Sequence, residues 1–204
     1  MFDKIFSLIV IILISPILLI VTFLIMFNDG FPIFFRQKRV GKDGKLFKIY
    51  KFRTMVKNAE TILQNNDKLF SEYVKNGYKI DANRDPRLLS FGKFMRSTSI
   101  DELPQFFNVI RSEMSVVGPR PHMVSEDIYL ESQIKNYAKR RAFKPGITGY
   151  AAVKGFRGGT EDLDLMQKRI DLDIEYINDW TFFLDLKICF ETIFETILFR
   201  SKGH

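Results

Sequence analysis

A long apolar run near the N-terminal end is the clearest pattern along the chain. Residues 5–27 contain no charged side chain. Only a few residues interrupt the apolar sequence, namely Ser7, Ser15, Pro16 and Thr22. A helix over this run would extend ~34 Å, which is enough to cross a hydrocarbon core of ~30 Å. No small-residue cleavage site follows the run, so the pattern favours a membrane helix over a cleaved signal peptide.

Pro16 lies near the middle of this run and predicts a disturbance of the helix. Proline lacks the N–H that would bond to the carbonyl of Ile12, and its ring clashes with that turn. The freed carbonyl needs another partner in lipid, and the Ser15 hydroxyl is the nearest candidate. Two interpretations stay open here. The segment is either a kinked spanning helix or a helix–break–helix that returns to the same face.

The remaining pattern predicts a mostly α fold with a small β-hairpin (α+β). The hairpin consists of the β-prone runs 33–40 and 45–52, which are joined by a glycine-containing turn. Further helices are expected over Lys57–Lys75, Leu103–Arg111, Val124–Arg141, Asp162–Trp180 and Trp180–Phe199. Turns or loops are expected at 83–86, 118–121 and 145–159, with a short extended piece at 150–153.

The last helical segment, Trp180–Phe199, is amphipathic, with polar residues mostly on one side and Leu, Ile and Phe opposite. Such a helix either packs in a core or lies as an interfacial helix at the membrane surface. The whole pattern therefore indicates two domains. Residues 1–30 form a membrane-inserted helix, and residues 31–204 form a cytoplasmic domain.

Positive charge is concentrated directly after the apolar run. The chain has 204 residues and a net charge of +7. Residues 28–57 hold nine basic and two acidic residues, so the whole excess lies in this segment. The position of this basic segment directly after the apolar run indicates that it lies at the cytoplasmic membrane surface, against anionic lipids. Nothing except charge supports a nucleic-acid partner.

Cysteine and histidine are nearly absent, which limits the available chemistry. Cys189 is the one cysteine, and the histidines are His122 and His204. These residues exclude an internal disulfide and a zinc cluster of His and Cys ligands. Any reaction is therefore expected to depend on carboxylates, lysine and arginine.

The adjacent carboxylates Asp101 and Glu102 are the candidate catalytic residues. Ser99 and Glu102 have the spacing of a capping box, and Pro104 suits a first helical turn, so a capped helix start explains the pattern without chemistry. In the functional interpretation, the two carboxylates serve as magnesium ligand, nucleophile or general base.

Several basic residues are candidates for binding substrate phosphate, namely Lys51, Arg53, Arg96 and Arg120. Arg120 stands between two prolines, which limits its backbone and suits a preorganised fork for phosphate. A solvated surface charge is the alternative for each residue taken alone. Together with the carboxylates and the glycine-rich loops, they indicate a phosphorylated substrate. The sequence contains neither a Walker A motif nor a Gly-x-Gly-x-x-Gly motif.

These segments together resemble the bacterial sugar transferase family, the monotopic phosphoglycosyl transferases that load a polyprenol phosphate carrier. The matching pieces are Ser15-Pro16, Phe34–Gly41, Tyr50–Met55, Ser99–Gln105, Val117–Pro121, Lys144–Gly149, and Trp180 with Leu184–Lys187. They occur in the family's order and cover essentially the whole chain.

The resemblance implies a two-step reaction. Asp101 would bind Mg²⁺ and attack the β-phosphate of a UDP-sugar, releasing UMP, and polyprenol phosphate would then accept the phosphosugar. Glu102 would position or activate the reacting groups, and Arg96 and Arg120 would hold phosphate oxygens. The resemblance also implies a re-entrant helix broken at Ser15-Pro16, with the catalytic domain on the cytoplasmic face of the bacterial inner membrane.

The chain departs from the family pattern at Ala152 and Lys154, where members commonly have Gln and Asn, so neither residue is given a role. Residues 155–160 and 168–170 resemble members that transfer hexose 1-phosphate in exopolysaccharide or capsule synthesis. UDP-glucose or UDP-galactose is therefore the expected donor.

The alternative function is a non-enzymatic, membrane-tethered adaptor with a lipid-binding basic hairpin. The sequence leaves the polysaccharide pathway and the formation of a homodimer open.

Overall fold

A computed structural model describes residues 2–76, 80–156 and 162–197 of the protein. Over these residues the protein is mostly helical with a small antiparallel hairpin. The α-helices are α1 (Phe2–Asp29), α2 (Ala59–Gln64), α3 (Asp67–Lys75), α4 (Gly92–Ser97), α5 (Gln105–Ile110), α6 (Val124–Gln133), α7 (Tyr150–Val153), α8 (Leu163–Asn178) and α9 (Phe182–Ile197). The strands are β1 (Phe34–Val40), β2 (Leu46–Phe52), β3 (Ser115–Val117) and β4 (Gly146–Thr148). The predicted fold class is confirmed at this level.

The chain divides into two units. Within the described residues, unit 1 is drawn from Met1–Ser15, Arg36–Tyr50 and Pro104–His204. Unit 2 is drawn from Pro16–Phe35 and Lys51–Leu103. The division passes through α1 between Ser15 and Pro16.

α1 is the one helix in the described part of the chain that is long and apolar enough to cross a membrane. Pro16 lies inside it. The Ser15 hydroxyl donates a hydrogen bond to the carbonyl of Ile12 at 2.8 Å, which confirms the predicted partner of that carbonyl. Most of the large apolar side chains of this helix are exposed, Leu13 by 73%.

The core of unit 2 includes the second half of α1. Val21 and Ile25 are spaced by one helical turn and share one face of the helix. They pack in one buried cluster with Phe52, Leu89 and Met95. The end of the apolar helix is therefore part of the hydrophobic core of this unit.

The core of unit 1 surrounds a short parallel pair of strands. Ser115 of β3 lies opposite Gly146 of β4, and Val117 lies opposite Thr148. A Cβ on Gly146 would lie 2.1 Å from the Gly118 nitrogen, so the two backbones approach more closely than any side chain permits. The buried residues around the strands include Phe47, Ile49, Val109, Met114, Tyr176 and Ile188.

Two predicted helices are each interrupted by an asparagine. The segment 57–75 forms α2 and α3, because the Asn66 side chain accepts a hydrogen bond from the Leu69 nitrogen and caps a new helix. In the segment 124–141, α6 ends before Asn136, which adopts a left-handed φ of 61° and precedes the 3₁₀ turn Tyr137–Ala142.

One predicted element is wrong. Residues 150–153 were expected to be extended but form α7, and the strand of this loop lies earlier, at Gly146–Thr148. The start of α8 is close to its prediction, because Asp162 accepts hydrogen bonds from the Asp164 and Leu165 nitrogens. The hairpin, α5 and α9 confirm their predictions, with bounds shifted by at most two residues.

A fully buried amide links α5 to β2. The Asn108 side chain accepts a hydrogen bond from the Tyr50 nitrogen at 3.0 Å and donates one to the Lys48 carbonyl at 2.8 Å. It also donates to the Glu113 carboxylate at 2.7 Å. The amide thus satisfies backbone groups of β2 as a neighbouring strand would.

Asn108→Ala is expected to lower the free energy of unfolding by about 2–4 kcal/mol, because it leaves buried backbone groups of β2 without partners. Chemical denaturation in detergent micelles measures this loss. Asn58→Ala is the matched control, since Asn58 is exposed and makes no capping hydrogen bond. Equal losses in the two variants would contradict the role of Asn108.

Candidate active site

The candidate carboxylates lie side by side in the 3₁₀ turn Ile100–Glu102 and are buried, with Asp101 7% and Glu102 8% exposed. Ser99 precedes them at φ 57°, a left-handed conformation that is uncommon outside glycine. Its side chain makes no capping hydrogen bond, and the next helix begins only at Gln105. The capping-box interpretation is therefore wrong, and the turn presents two buried carboxylates.

Lys51, at the end of β2, is the cationic partner of Glu102. Its Nζ lies 2.6 Å from Glu102 Oε1, and both side chains are mostly buried. A buried carboxylate is costly unless a charged partner compensates for the lost water. Lys51, at the end of the hairpin, therefore supplies the positive charge that compensates the buried carboxylate of Glu102.

Arg96, on α4, belongs to the electrostatic surroundings of Asp101. Its Nε donates a hydrogen bond to Thr54 Oγ1 at 3.0 Å. Burial lowers the pKa of the Arg96 guanidinium, while the charges of Asp101 and Asp85 act in the opposite direction. Lys51 and Arg96, two of the residues predicted to bind phosphate, thus lie in the same unit as the carboxylate pair.

A second buried ion pair was missed by sequence reasoning. Arg87 binds Asp85 through two hydrogen bonds of 2.8 Å, one to each carboxylate oxygen. The Arg87 guanidinium also lies over the Tyr73 ring. The available signal was the Asp-Pro-Arg sequence in the expected turn, which places the two charges close together.

Arg53 differs from its predicted role. Its guanidinium donates to the carbonyls of Asp29, Gly30, Pro32 and Met55. It also binds the Asp29 carboxylate. These contacts use all five N–H groups of the side chain. Arg53 therefore anchors the end of α1 in this conformation and offers no donor to a phosphate.

Arg120 lies in unit 1, on the Pro119–Pro121 loop. Its carbonyl accepts a hydrogen bond from Arg140 Nη2 at 2.6 Å. The neighbouring Pro121 carbonyl accepts one from Arg39 Nη1 at 3.2 Å. Hydrogen bonds thus hold the carbonyls of Arg120 and Pro121, in agreement with the rigid loop that the two prolines indicate.

The stretch that departs from the family pattern is only partly described. Lys154 lies over the Tyr150 ring at 5.3 Å, and the Tyr150 hydroxyl donates to Glu175 at 3.1 Å. Of the segment 155–160, residues 157–160 lie outside the described residues.

The chain thus combines an apolar helix that is long enough to cross a membrane with two buried carboxylates, which are accompanied by a lysine and an arginine. The chain belongs to the bacterial sugar transferase family, whose pattern it matches over residues 1–199.

Three relatives illustrate the similarity. The chain is 47% identical to the UDP-glucose:undecaprenyl-phosphate glucose-1-phosphate transferase of Klebsiella pneumoniae, over 98% of this chain and 40% of that protein. It is 37% identical to the undecaprenyl-phosphate galactose phosphotransferase of Salmonella typhimurium, over 99% and 40%. It is 36% identical to the exopolysaccharide production protein ExoY of Sinorhizobium fredii, over 98% and 86%. The chain thus spans about two fifths of the first two relatives.

Lys51→Met is expected to lower the free energy of unfolding by about 1–3 kcal/mol, because it leaves the Glu102 carboxylate buried without its cation. Lys48→Met, at an exposed position of the same strand, should change it by less than about 0.5 kcal/mol. Denaturation in micelles gives both values. The double variant Lys51→Met/Glu102→Gln should recover most of the loss, and a double variant as unstable as Lys51→Met would contradict this assignment.

Proposed function

We propose that the protein is a phosphoglycosyl transferase that moves hexose 1-phosphate from a UDP-sugar to undecaprenyl or another polyprenyl phosphate and releases UMP. The observation that carries the proposal is the buried Asp101–Glu102 pair, held by Lys51, in a chain of this family. The names of the relatives, which mention UDP-glucose, galactose and exopolysaccharide production, support UDP-glucose or UDP-galactose as the donor. The proposed purpose is exopolysaccharide, capsule or O-antigen synthesis.

The proposed reaction has two displacements at one phosphorus atom. An oxygen of Asp101 forms a bond to the β-phosphorus of the donor, and the bond to the UMP oxygen breaks with its electron pair leaving on UMP. An oxygen of polyprenyl phosphate then bonds to the same phosphorus and releases the Asp101 carboxylate. The product is polyprenyl diphosphosugar. Burial of Asp101 supports this route, because it limits hydrolysis of the aspartyl intermediate by water.

The surrounding residues have separate tasks in this proposal. Lys51 holds Glu102, which positions the donor beside Asp101. Arg96 lends positive charge next to Asp101, and Arg120 offers a fork for phosphate oxygens from its rigid loop. Arg53 positions the end of α1 and does not touch the substrate.

The donor set at the carboxylate pair fits Mg²⁺, with Asp101 as the proposed protein ligand. Magnesium prefers oxygen ligands and commonly takes one or two carboxylates together with substrate phosphates. Within the described residues, no group of three or more His, Cys, Asp or Glu side chains is arranged to hold a metal. A site completed by the donor's phosphates accords with that finding. When bound, the ion would neutralise charge on the diphosphate and assist departure of UMP.

We also propose that α1 is re-entrant, with its break at Ser15-Pro16 and both ends on the cytoplasmic face. At one end, the Ser115 hydroxyl donates to the Asp3 carboxylate at 2.6 Å. At the other end, Asp29 binds Arg53. Each end of α1 thus contacts a polar side chain from outside the helix.

The apolar face of α9 supports an interfacial position beside α1. Phe183, Phe190 and Phe194 are exposed on this helix. Phe182 contacts Phe2 of α1, with ring centroids 4.9 Å apart. In this proposal residues 1–30 are inserted in the membrane, and residues 31–204 form the cytoplasmic catalytic domain.

Asp101→Asn is expected to reduce UMP release from UDP-glucose by at least about 1,000-fold, since it removes the nucleophile. The assay supplies detergent-solubilised protein, Mg²⁺ and polyprenyl phosphate. Asp67→Asn, at an exposed position on α3, should retain wild-type activity. Full activity of Asp101→Asn would refute the nucleophile. A wild-type protein that binds liposomes through residues 28–57 and releases no UMP would favour the adaptor function instead.

Single cysteines at both ends of α1 are expected to react from the same side of the membrane. Lys4→Cys and Phe31→Cys, each in a Cys189→Ser background, place a thiol at exposed positions. A membrane-impermeant maleimide should label both in inside-out vesicles and neither in intact cells. Labelling of the two positions from opposite sides would mean that α1 spans the membrane.

A further inference from the structure

The connection between α8 and α9 is organised around the carboxylate of Asp185, in the first turn of α9. The Tyr176 hydroxyl, near the end of α8, donates a hydrogen bond to Asp185 Oδ1 at 2.7 Å. The Trp180 indole N–H donates one to Asp185 Oδ2 at 3.1 Å. Phe143 packs against both aromatic rings. Each oxygen of this carboxylate thus has a neutral donor, and the three side chains join the two helices.

The first turn of α1 is attached to the same unit. Phe2 contacts Phe182 of α9, with ring centroids 4.9 Å apart, and Phe6 packs against the buried core of unit 1. Between these two phenylalanines, Asp3 accepts a hydrogen bond from the Ser115 hydroxyl of β3 at 2.6 Å. The carboxylate of Asp3 is therefore directed at unit 1, on the side of the helix that packs.

The carboxylates of Asp3 and Asp185 lie close enough to repel each other. Burial raises the pKa of Asp185, and the charge of Asp3 raises it further, although the hydrogen bonds from Tyr176 and Trp180 act in the opposite direction. The same two charges reach the thiol of Cys189, whose pKa is raised to about 11 by burial and by both carboxylates. Both charges thus act on one small region at the start of α9.

This carboxylate pair has no compensating cation. Other buried carboxylates of the protein bind guanidinium groups, as Asp85 binds Arg87 and Asp173 binds Arg140. In the part of the chain that the structure describes, Asp185 has no such partner. Because burial disfavours a charge that no cation compensates, the protonated form of Asp185 suits these surroundings better than the ionised form.

The elements packed against α9 bring no other charge to Asp185. The strands β3 and β4 carry no titratable residue, and the Tyr150 hydroxyl of α7 donates to Glu175. The charged residues next to the pair along the chain are exposed, namely Lys4, Glu175, Asp179 and Lys187. Among the described residues, Asp3 is therefore the charged group that acts on Asp185.

We propose that Asp3 and Asp185 form a proton-dependent fastening between the first turn of α1 and the α8–α9 connection. While Asp185 holds a proton, Asp3 carries the one charge of the pair and is stabilised by Ser115. Loss of the proton places two negative charges beside each other, so the contact between α1 and α9 loosens. The fastening is therefore stable at acidic pH and weakens as the pH rises through the pKa of Asp185.

The consequence concerns the two most apolar helices of the described chain. Phe183, Phe190 and Phe194 form an exposed apolar face on α9, and most of the large apolar side chains of α1 are exposed as well. The proton on Asp185 thus controls how firmly these two surfaces are joined. This inference goes beyond the proposed reaction and does not depend on it.

Trp180 is the one tryptophan of the chain, and its indole reports directly on the charge of Asp185. The full chain is held in phosphatidylcholine nanodiscs, and the Trp180 fluorescence is followed during a pH titration. We expect a transition with its midpoint above the ordinary range of aspartate. Asp185→Asn should abolish the transition, and Asp3→Asn should lower its midpoint, because the repelling charge is gone. Asp179→Asn, at an exposed position beside Trp180, is the matched control and should leave the midpoint unchanged.

Hydrogen exchange measures whether the proton controls the contact. Wild type and Asp185→Asn are compared at the same pH, so that the intrinsic exchange rate cancels. Above the midpoint, peptides from the first two turns of α1 and α9 should exchange faster in the wild type. The excess should be about tenfold for each pH unit by which the midpoint exceeds the ordinary value of aspartate. At the acidic end of the titration the two proteins should exchange alike.

Three results would each overturn the proposal. They are a Trp180 midpoint in the ordinary range of aspartate, a midpoint that Asp3→Asn leaves in place, and equal exchange of the two proteins at every pH. If Asp185→Asn does not fold, the midpoint in Asp3→Asn decides the question, since that substitution keeps an oxygen acceptor for the Ser115 hydroxyl.

Discussion

Unit 2 depends on the guanidinium of Arg53. The end of any helix leaves backbone carbonyls without partners, and at the end of α1 the carbonyls of Asp29 and Gly30 accept hydrogen bonds from Arg53. A cation at a helix C-terminus is also favoured by the helix dipole. The same side chain binds the Met55 carbonyl, so the apolar helix and the chain after β2 are joined at one point.

This anchor places four consecutive residues in four different environments. Lys51 binds Glu102, and Phe52 enters the core beside the second half of α1. Arg53 holds the helix end, and Thr54 accepts the hydrogen bond of Arg96. Side chains of an extended segment alternate in direction, so a short strand can serve both the core and the charged site. The position of the carboxylate pair is thereby tied to the end of α1.

The sequence predicted the features that depend on pattern, such as the hairpin and the hydrogen bond from Ser15 to Ile12, because periodicity and local chemistry determine them. It did not predict the breaks at Asn66 and Asn136, since an asparagine adopts a cap or a left-handed turn only where the surrounding fold favours it. The task of Arg53 could not be predicted either. Apart from Met55, its partners lie more than twenty residues away, and only the folded chain brings them together.

The positive charge after the apolar run serves two distinct purposes. Lys51 and Arg53 are directed inward, where Glu102 and Asp29 compensate them. Exposed lysines remain on the hairpin, namely Lys38, Lys42, Lys45 and Lys48. Near an anionic bilayer, each exposed basic residue contributes about 1 kcal/mol of attraction, whereas the inward pair contributes nothing to that attraction. The charge available to an anionic bilayer is therefore smaller than the net charge of the segment suggests. The inward pair instead joins the chain around the end of β2 to the carboxylate turn and to the end of α1.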